Sequence, residues 1–156
     1  MLMLVNNTKQ TVLADNVECA HTFWRRFLGL MGRTEFPPGH ALWLYPCNGV
    51  HTMGMRFPID VVFLDTSFNI LSVISRLPPW RFSPIIKDAT QVIELPPGRI
   101  STTNTTPGDA LKILKKPSPE GILKCMENTN PEHFSKGWYF ESQFNYFKRA
   151  DLSTPL

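Results

Sequence analysis

The sequence predicts a mainly β protein of the α+β class: a small barrel-like or two-sheet antiparallel domain with one packed helix at about residues 22–31. Three observations lead to this prediction. Short apolar runs rich in β-branched residues recur along the chain, separated by turn-forming residues. One segment has clear helical periodicity. Long connections of the kind that join parallel strands are missing, which argues against a doubly wound fold.

The strands are predicted from these apolar runs. Residues 2–5 and 11–14 flank a polar turn and form a hairpin, and residues 17–20 alternate as a half-buried strand does. Residues 59–65 and 70–74 form a second hairpin, since the first of these runs is strongly β-branched. Further strands are predicted at residues 41–45, 90–95 and 110–114.

The helix is predicted from apolar side chains at helical spacing within residues 22–31. These side chains are Phe23, Trp24, Phe27, Leu28 and Met31. The hydroxyl of Thr22 can cap the first turn. Gly32 lies where a left-handed residue usually ends a helix. We interpret the apolar face of this helix as part of the core, not as a membrane contact.

A chain of 156 residues has the length of one domain. We place that domain at residues 1–116. Residues 117–156 form a C-terminal extension, in which several prolines and a glycine interrupt the apolar periodicity. Phenylalanines at helical spacing predict a helix at about residues 138–148 within this extension.

Charge and cysteine usage exclude several classes of protein. The formal net charge is +3, and no basic run is longer than two residues, so we expect no nucleic-acid role. Cys19, Cys47 and Cys125 are widely spaced and odd in number, which favours reduced thiols over a disulfide scaffold. The N-terminal residues lack a charged n-region and a full h-region, and no apolar run could span a bilayer. We therefore expect a cytoplasmic protein with no membrane partner.

Five segments match the motifs of a known family. They are FLGLMGR at 27–33, HTMGMRFPIDVVFLD at 51–65, PWRFSP at 79–84, VIELPPG at 92–98 and PGD at 107–109. In this order, they resemble the motifs of domain-of-unknown-function family 192, a family of uncharacterised bacterial and archaeal proteins. The resemblance covers about residues 11–114. It implies a compact β-rich domain, and it implies no established reaction, cofactor or partner.

The richest cluster of chemically active side chains lies in residues 47–60, inside the longest matching motif. Its members are Cys47, His51, Thr52, Met53, Met55, Arg56 and Asp60. A loop with a thiol, an imidazole, a cation and a carboxylate can line a pocket. We therefore predict the functional site there, and we name its cofactor as unknown.

The leading hypothesis is a non-enzymatic small-ligand-binding or accessory domain that uses a cleft around residues 46–60 and 78–84. Arg56 and Arg81 can hold a carboxylate or phosphate, and Trp80 can supply a flat apolar wall. The ligand would be small and either anionic or ring-containing. With these three residues we assign His51, Thr52, Met55 and Asp60 to ligand binding.

Two alternatives stay open. The first is a hydrolase- or redox-type enzyme in which His51 activates Cys47 and Asp60 orients the imidazole, with or without a metal. We assign no metal ligands, because Cys47 and His51 are only two nearby ligands where structural zinc sites take four. The second alternative is a protein-interaction module that uses the aromatic C-terminal segment. Oligomeric state is unknown in every case.

One acid outside this cluster also stands out. Glu94 lies in an otherwise apolar strand. Burial can raise the pKa of a carboxyl and make it an acid. We favour an ion pair between Glu94 and an arginine instead.

Overall fold

The computed structural model describes residues 1–116, and the helix predicted at about 138–148 lies outside these residues. Eight strands and two short helices follow one another along the described chain. In order they are β1 Leu2–Asn6, β2 Thr11–Ala14, β3 Asn16–Ala20, α1 Phe23–Leu28, β4 His40–Leu44, β5 Ile59–Leu64, β6 Ile70–Leu77, β7 Gln91–Leu95, α2 Arg99–Thr102 and β8 Leu111–Lys115. No helix within residues 1–116 is long and apolar enough to cross a membrane.

The strands form two separate sheets, which do not close into a barrel. The small sheet has the order β2-β1-β8, and the large sheet has the order β3-β4-β7-β5-β6. The two-sheet form of the prediction is therefore confirmed, and the barrel-like form is wrong. One pair, β3 with β4, is parallel. The segment that contains α1 connects these two strands and provides the crossover that a parallel pair requires. The expectation that the chain lacks such a connection is therefore wrong for this one pair.

The large sheet is buried on both faces. Every residue of β5 and β7, two of its three inner strands, is buried. On one face, Val61 and Val92 belong to a core with Leu30 and Leu44, which we call the α1-side core. The opposite face packs against the small sheet. The main members of this second core, the small-sheet core, are Leu4, Leu13, Val62, Leu64, Ile93, Leu95, Ile100 and Leu111. Side chains that alternate along a strand therefore enter two different cores.

The predicted helix is shorter than expected and its apolar face is exposed. The Thr22 hydroxyl caps α1 by accepting a hydrogen bond from the Arg25 N–H. The helix ends at Leu28, because Gly29 adopts a φ of 45°, one turn before the expected end at Gly32. Between 47% and 68% of the surface of four side chains is exposed: Phe23, Trp24, Phe27 and Leu28. Our interpretation of this face as core is therefore wrong.

The other strands agree closely with those predicted from the sequence. Both predicted hairpins are present, as β1-β2 and β5-β6. β6 is longer than predicted and continues to Leu77. The sequence pattern did not reveal α2, which has only four residues and follows the left-handed Gly98.

Candidate functional site

A cavity of about 210 Å³ lies beneath α1. Its walls come from α1 and the turn that follows, from the end of β4, from the loop after β4, and from β7. The apolar walls include Phe27, Leu30, Met31, Leu44 and Val50. The ionisable side chains that line it, within the described chain, are Arg26, Cys47, His51 and Glu94.

Glu94 is a buried acid at the cavity wall. It pairs in register with Leu42 on β4 and with Val61 on β5, and both neighbours belong to the α1-side core. Burial in this apolar setting raises the pKa of Glu94 to about 8, and the Arg33 charge only partly opposes the effect. The carboxyl is therefore mostly protonated at neutral pH.

The expected ion pair of Glu94 with an arginine is absent from the described residues. The guanidinium of Arg33 donates instead to both carboxylate oxygens of Glu18, at 3.0 and 2.8 Å. The Oε2 atom of Glu94 is buried and has no hydrogen-bond partner within residues 1–116. Such orphaned atoms are rare in folded proteins, because a buried polar atom without a partner is costly.

His51 is the second polar group without a partner. Both of its ring nitrogens are buried and lack a hydrogen-bond partner in the described part of the chain. The imidazole lies close to two aromatic rings, with centroid distances of 5.5 Å to Phe27 and 6.1 Å to Phe82. A neutral imidazole offers one donor and one acceptor, so His51 can hydrogen-bond to a molecule in the cavity.

Cys47 lines the cavity, but its thiol is not activated as a nucleophile. Its Sγ donates to the carbonyl oxygen of Gly49 at 3.1 Å, and no hydrogen bond joins it to His51. Burial raises the pKa of the Cys47 thiol, and this effect outweighs the opposing charge of Arg26. The thiol is therefore less reactive than a free cysteine.

Arg26 brings a positive charge to the cavity from α1. Its Nη1 donates to the carbonyl oxygens of His21 at 2.9 Å and of Tyr45 at 3.5 Å. A guanidinium has five N–H donors. Arg26 therefore keeps donors for a further acceptor while these contacts hold it in place.

Asp60 does not belong to this site. It alternates with Ile59 and Val61, whose side chains enter the α1-side core, so its carboxylate is on the other face of the sheet. There it accepts hydrogen bonds from the backbone N–H groups of Arg76 and Ile100. The predicted arrangement of Cys47, His51 and Asp60 is therefore not assembled.

Thr52 and Met55 are structural rather than exposed to a ligand. The Thr52 hydroxyl donates to the Pro78 carbonyl at 2.6 Å and accepts from the Arg81 N–H at 2.9 Å. It thereby fixes the segment after β6 against the loop before β5. Met55 is buried in the α1-side core.

The remaining predicted residues lie on the surface and do not line the cavity. Arg56, Trp80 and Arg81 are exposed, and 59% of the Trp80 surface is accessible. The Arg81 guanidinium donates to the carbonyl oxygen of Trp80 at 3.1 Å. The structure thus brings Cys47, His51 and Met53 of the predicted cluster together in one cavity and leaves the other predicted site residues outside it.

Sequence reasoning missed Arg26 and the helix-derived wall of the cavity. Among the cavity residues outside the loop after β4, only Glu94 carried a recognisable signal in the sequence, as an acid within an apolar strand.

Within residues 1–116, no group of three or more His, Cys, Asp or Glu side chains is arranged to hold a metal ion.

Comparison with known proteins places the chain in a family. The model of DUF192, described as uncharacterized ACR, matches residues 4–113. A UPF0127 protein of Thermococcus sibiricus is 36% identical over 115 residues, which cover 70% of this chain and 73% of that protein. A UPF0127 protein of Pyrococcus furiosus is 32% identical over 114 residues, covering 70% of this chain and 96% of the relative.

A solved structure has the same fold. It is the crystal structure of a protein of unknown function from Novosphingobium aromaticivorans, with a TM-score of 0.62. The alignment has 18% identity and covers 71% of this chain and 82% of that chain, so it supports the fold alone. The sequence motifs, the family model and the archaeal relatives agree, and the chain belongs to the DUF192 family.

Proposed function

We propose that this domain binds a small molecule in the cavity beneath α1. The observation that carries the proposal is the pair of unsatisfied polar groups in its wall, Glu94 Oε2 and the ring nitrogens of His51. Each buried polar group without a partner costs about 1–3 kcal/mol. A ligand that hydrogen-bonds to Glu94 and His51 would recover this cost.

The dimensions and walls of the cavity suit a ring-sized ligand. A cavity of about 150 Å³ in another protein accommodates benzene, and this one measures about 210 Å³. Leu44 and Met31 supply apolar contact at the wall, and the exposed rings of Phe23 and Phe27 line its α1 side. A ring or short aliphatic body that carries one polar group fits this combination.

The proposal revises the predicted cleft. The loop after β4 contributes Cys47, Val50, His51 and Met53 to the cavity, whereas the 78–84 segment contributes no lining residue among those described. The enzyme alternative loses its main support, because burial raises the pKa of the Cys47 thiol instead of lowering it.

A fragment screen on the full chain tests the proposal. Fragments of one ring with a single polar substituent are added at millimolar concentration, and the melting temperature is measured. A ligand that binds only the folded state raises the melting temperature by mass action. We expect Met53→Trp, which adds bulk to the cavity wall, to remove the increase produced by each active fragment.

Two surface variants serve as controls. Trp80→Ala and Arg56→Ala remove exposed side chains outside the cavity, so both should retain the increase in melting temperature. The proposal fails if no fragment stabilises the protein. It also fails if Trp80→Ala or Arg56→Ala removes the effect and Met53→Trp retains it, because the site would then be the cleft predicted from the sequence.

A further inference from the structure

We propose that the natural occupant of the cavity is a small monocarboxylate, held by the Glu94 carboxyl as donor and by the guanidinium of Arg26 as counter-charge. This inference rests on the proposed function and names its ligand class. Glu94 is 3% exposed and lines the cavity with its Oε2 unpartnered. Arg26 lines the same cavity from α1.

The charges around the cavity favour an anion. Arg26 is the permanently charged side chain among its described lining residues, and Arg33 lies near enough to act on the Glu94 carboxyl. When Glu94 is protonated, the lining has a net positive charge. Such a cavity repels an ammonium group and attracts a carboxylate, especially where apolar walls exclude water.

The hydrogen-bonding groups of the cavity also favour a carboxylate. A protonated carboxyl has one O–H donor, and hydrogen bonds from O–H to a carboxylate are short and strong. His51 can add an N–H donor. A carboxamide of the same shape could use the Glu94 and His51 groups, but it would gain much less from the Arg26 charge.

This arrangement makes binding depend on pH. Leu42 and Val61 pair with Glu94 on the adjacent strands, and the Arg33 charge acts on its carboxyl from the segment after α1. The other ionisable residues that line the same cavity are Arg26 of α1 and Cys47 and His51 of the loop after β4. Burial keeps the Cys47 thiol neutral at neutral pH, because it raises the pKa of that group. Ionisation of Glu94, whose pKa is about 8, removes the donor and adds a repelling charge.

Calorimetric titration of the full chain tests the ligand class with three benzene derivatives of similar size. Benzoate is the anion, benzamide the neutral analogue and benzylamine the cation. At pH 7 we expect benzoate to bind at least about tenfold more tightly than either analogue, since a charged hydrogen bond is stronger than a neutral one. Above pH 8 its affinity should decline, by up to about tenfold per pH unit.

Three variants separate the roles of the two residues. Glu94→Gln keeps a donor and removes the titration, so benzoate should still bind at pH 7 and its affinity should change little between pH 7 and 9. Arg26→Ala should weaken benzoate binding about tenfold and leave benzamide almost unchanged. Arg25→Ala removes an exposed neighbouring charge that does not line the cavity, and it should bind benzoate as the parent protein does.

The outcomes distinguish the ligand class from the proposed function. If benzamide or benzylamine binds more tightly than benzoate, the monocarboxylate is wrong and the cavity remains a binding site. The same holds if none of the three binds while other fragments do. If benzoate affinity does not change between pH 7 and 9, the donor role of Glu94 is wrong. If no fragment occupies the cavity, both proposals fail.

Discussion

Asp60 Oδ2 accepts a hydrogen bond of 2.8 Å from the backbone N–H of Ile100, a residue 40 positions further along the chain. Its Oδ1 accepts a second one, of 2.9 Å, from the backbone N–H of Arg76. The carboxylate thus joins β5 to the end of β6 and to the first turn of α2. Asp60 is fully buried, and both oxygens are engaged in holding the fold together.

Asp60→Ala should therefore destabilise the protein, although Asp60 itself does not contact a ligand. The variant leaves two N–H groups without their acceptor, and each buried unpaired donor costs about 1–3 kcal/mol. We expect the free energy of unfolding to fall by about 3 kcal/mol, as measured by urea denaturation. Asp88→Ala, at an exposed loop position, is the control and should change stability by less than about 0.5 kcal/mol. Equal stability of the two variants would contradict the structural role of Asp60.

Stability should also depend on pH through Glu94. Its pKa rises from 4.5 in the unfolded chain to about 8 in the folded one. Between these two values the folded state binds more protons, so the contribution of Glu94 is complete below 4.5 and is lost as pH rises to about 8. The expected slope is at most about 1.4 kcal/mol per pH unit.

Denaturation of Glu94→Gln at several pH values isolates this contribution. The unfolding free energy of the parent protein should fall relative to that of the variant from pH 5 to pH 8, and the difference should then stay constant. Glu35→Gln, at an exposed acid, should run parallel to the parent protein. A constant difference between the parent and Glu94→Gln would show that Glu94 ionises normally in the folded state.

The reactivity of Cys47 gives another prediction. Burial raises the pKa of this thiol, so iodoacetamide at pH 7 should modify Cys47 more slowly than a free thiol. A cavity ligand should slow the reaction further, and Cys19, which does not line the cavity, should show no such protection. Peptide mass spectrometry follows both sites in one sample. Modification of Cys47 faster than that of a free thiol would restore the nucleophile hypothesis.

The exposed face of α1 predicts a contrast between one of its residues and a buried residue of the turn that follows. About 68% of the Trp24 surface is exposed, whereas only 2% of the Leu30 surface is. Trp24→Gln should change the unfolding free energy by less than about 0.5 kcal/mol, and Leu30→Ala should lower it by about 2–5 kcal/mol. Urea denaturation of both variants measures this difference in unfolding free energy. A large loss in Trp24→Gln would mean that the helix face is buried in solution.

Much of the fold could be predicted from the sequence because local patterns determine it. The β-branched run at residues 59–65 became the fully buried β5, and the turn after it gave the expected hairpin. The end of α1 was misplaced because Gly29 and Gly32 both follow apolar residues and both adopt positive φ. Periodicity also cannot tell an apolar face that packs on the core from one that lies open, as at Phe23 and Trp24.

The site was harder to predict because its parts come from separate elements. Cys47 and His51 share a loop and were found together. Asp60 lies nine positions after His51, but strand alternation turns its carboxylate to the opposite face of the sheet. Glu94 reaches the cavity through the pairing of β7 with β4, a contact between distant segments that no local motif reveals.

The central claim is that the cavity beneath α1 is a ligand site, and methyl-resolved NMR tests it most directly. Benzoate is added to protein labelled at Leu, Val, Ile and Met methyl groups. The account predicts shifts at the α1-side residues Leu30, Met31, Leu44, Val50 and Met53, with no change at Leu4, Leu13 and Ile100 of the small-sheet core. Shifts that are confined to other regions would contradict the account. It would also be contradicted if neither saturating benzoate nor any other fragment of the screen produced a shift.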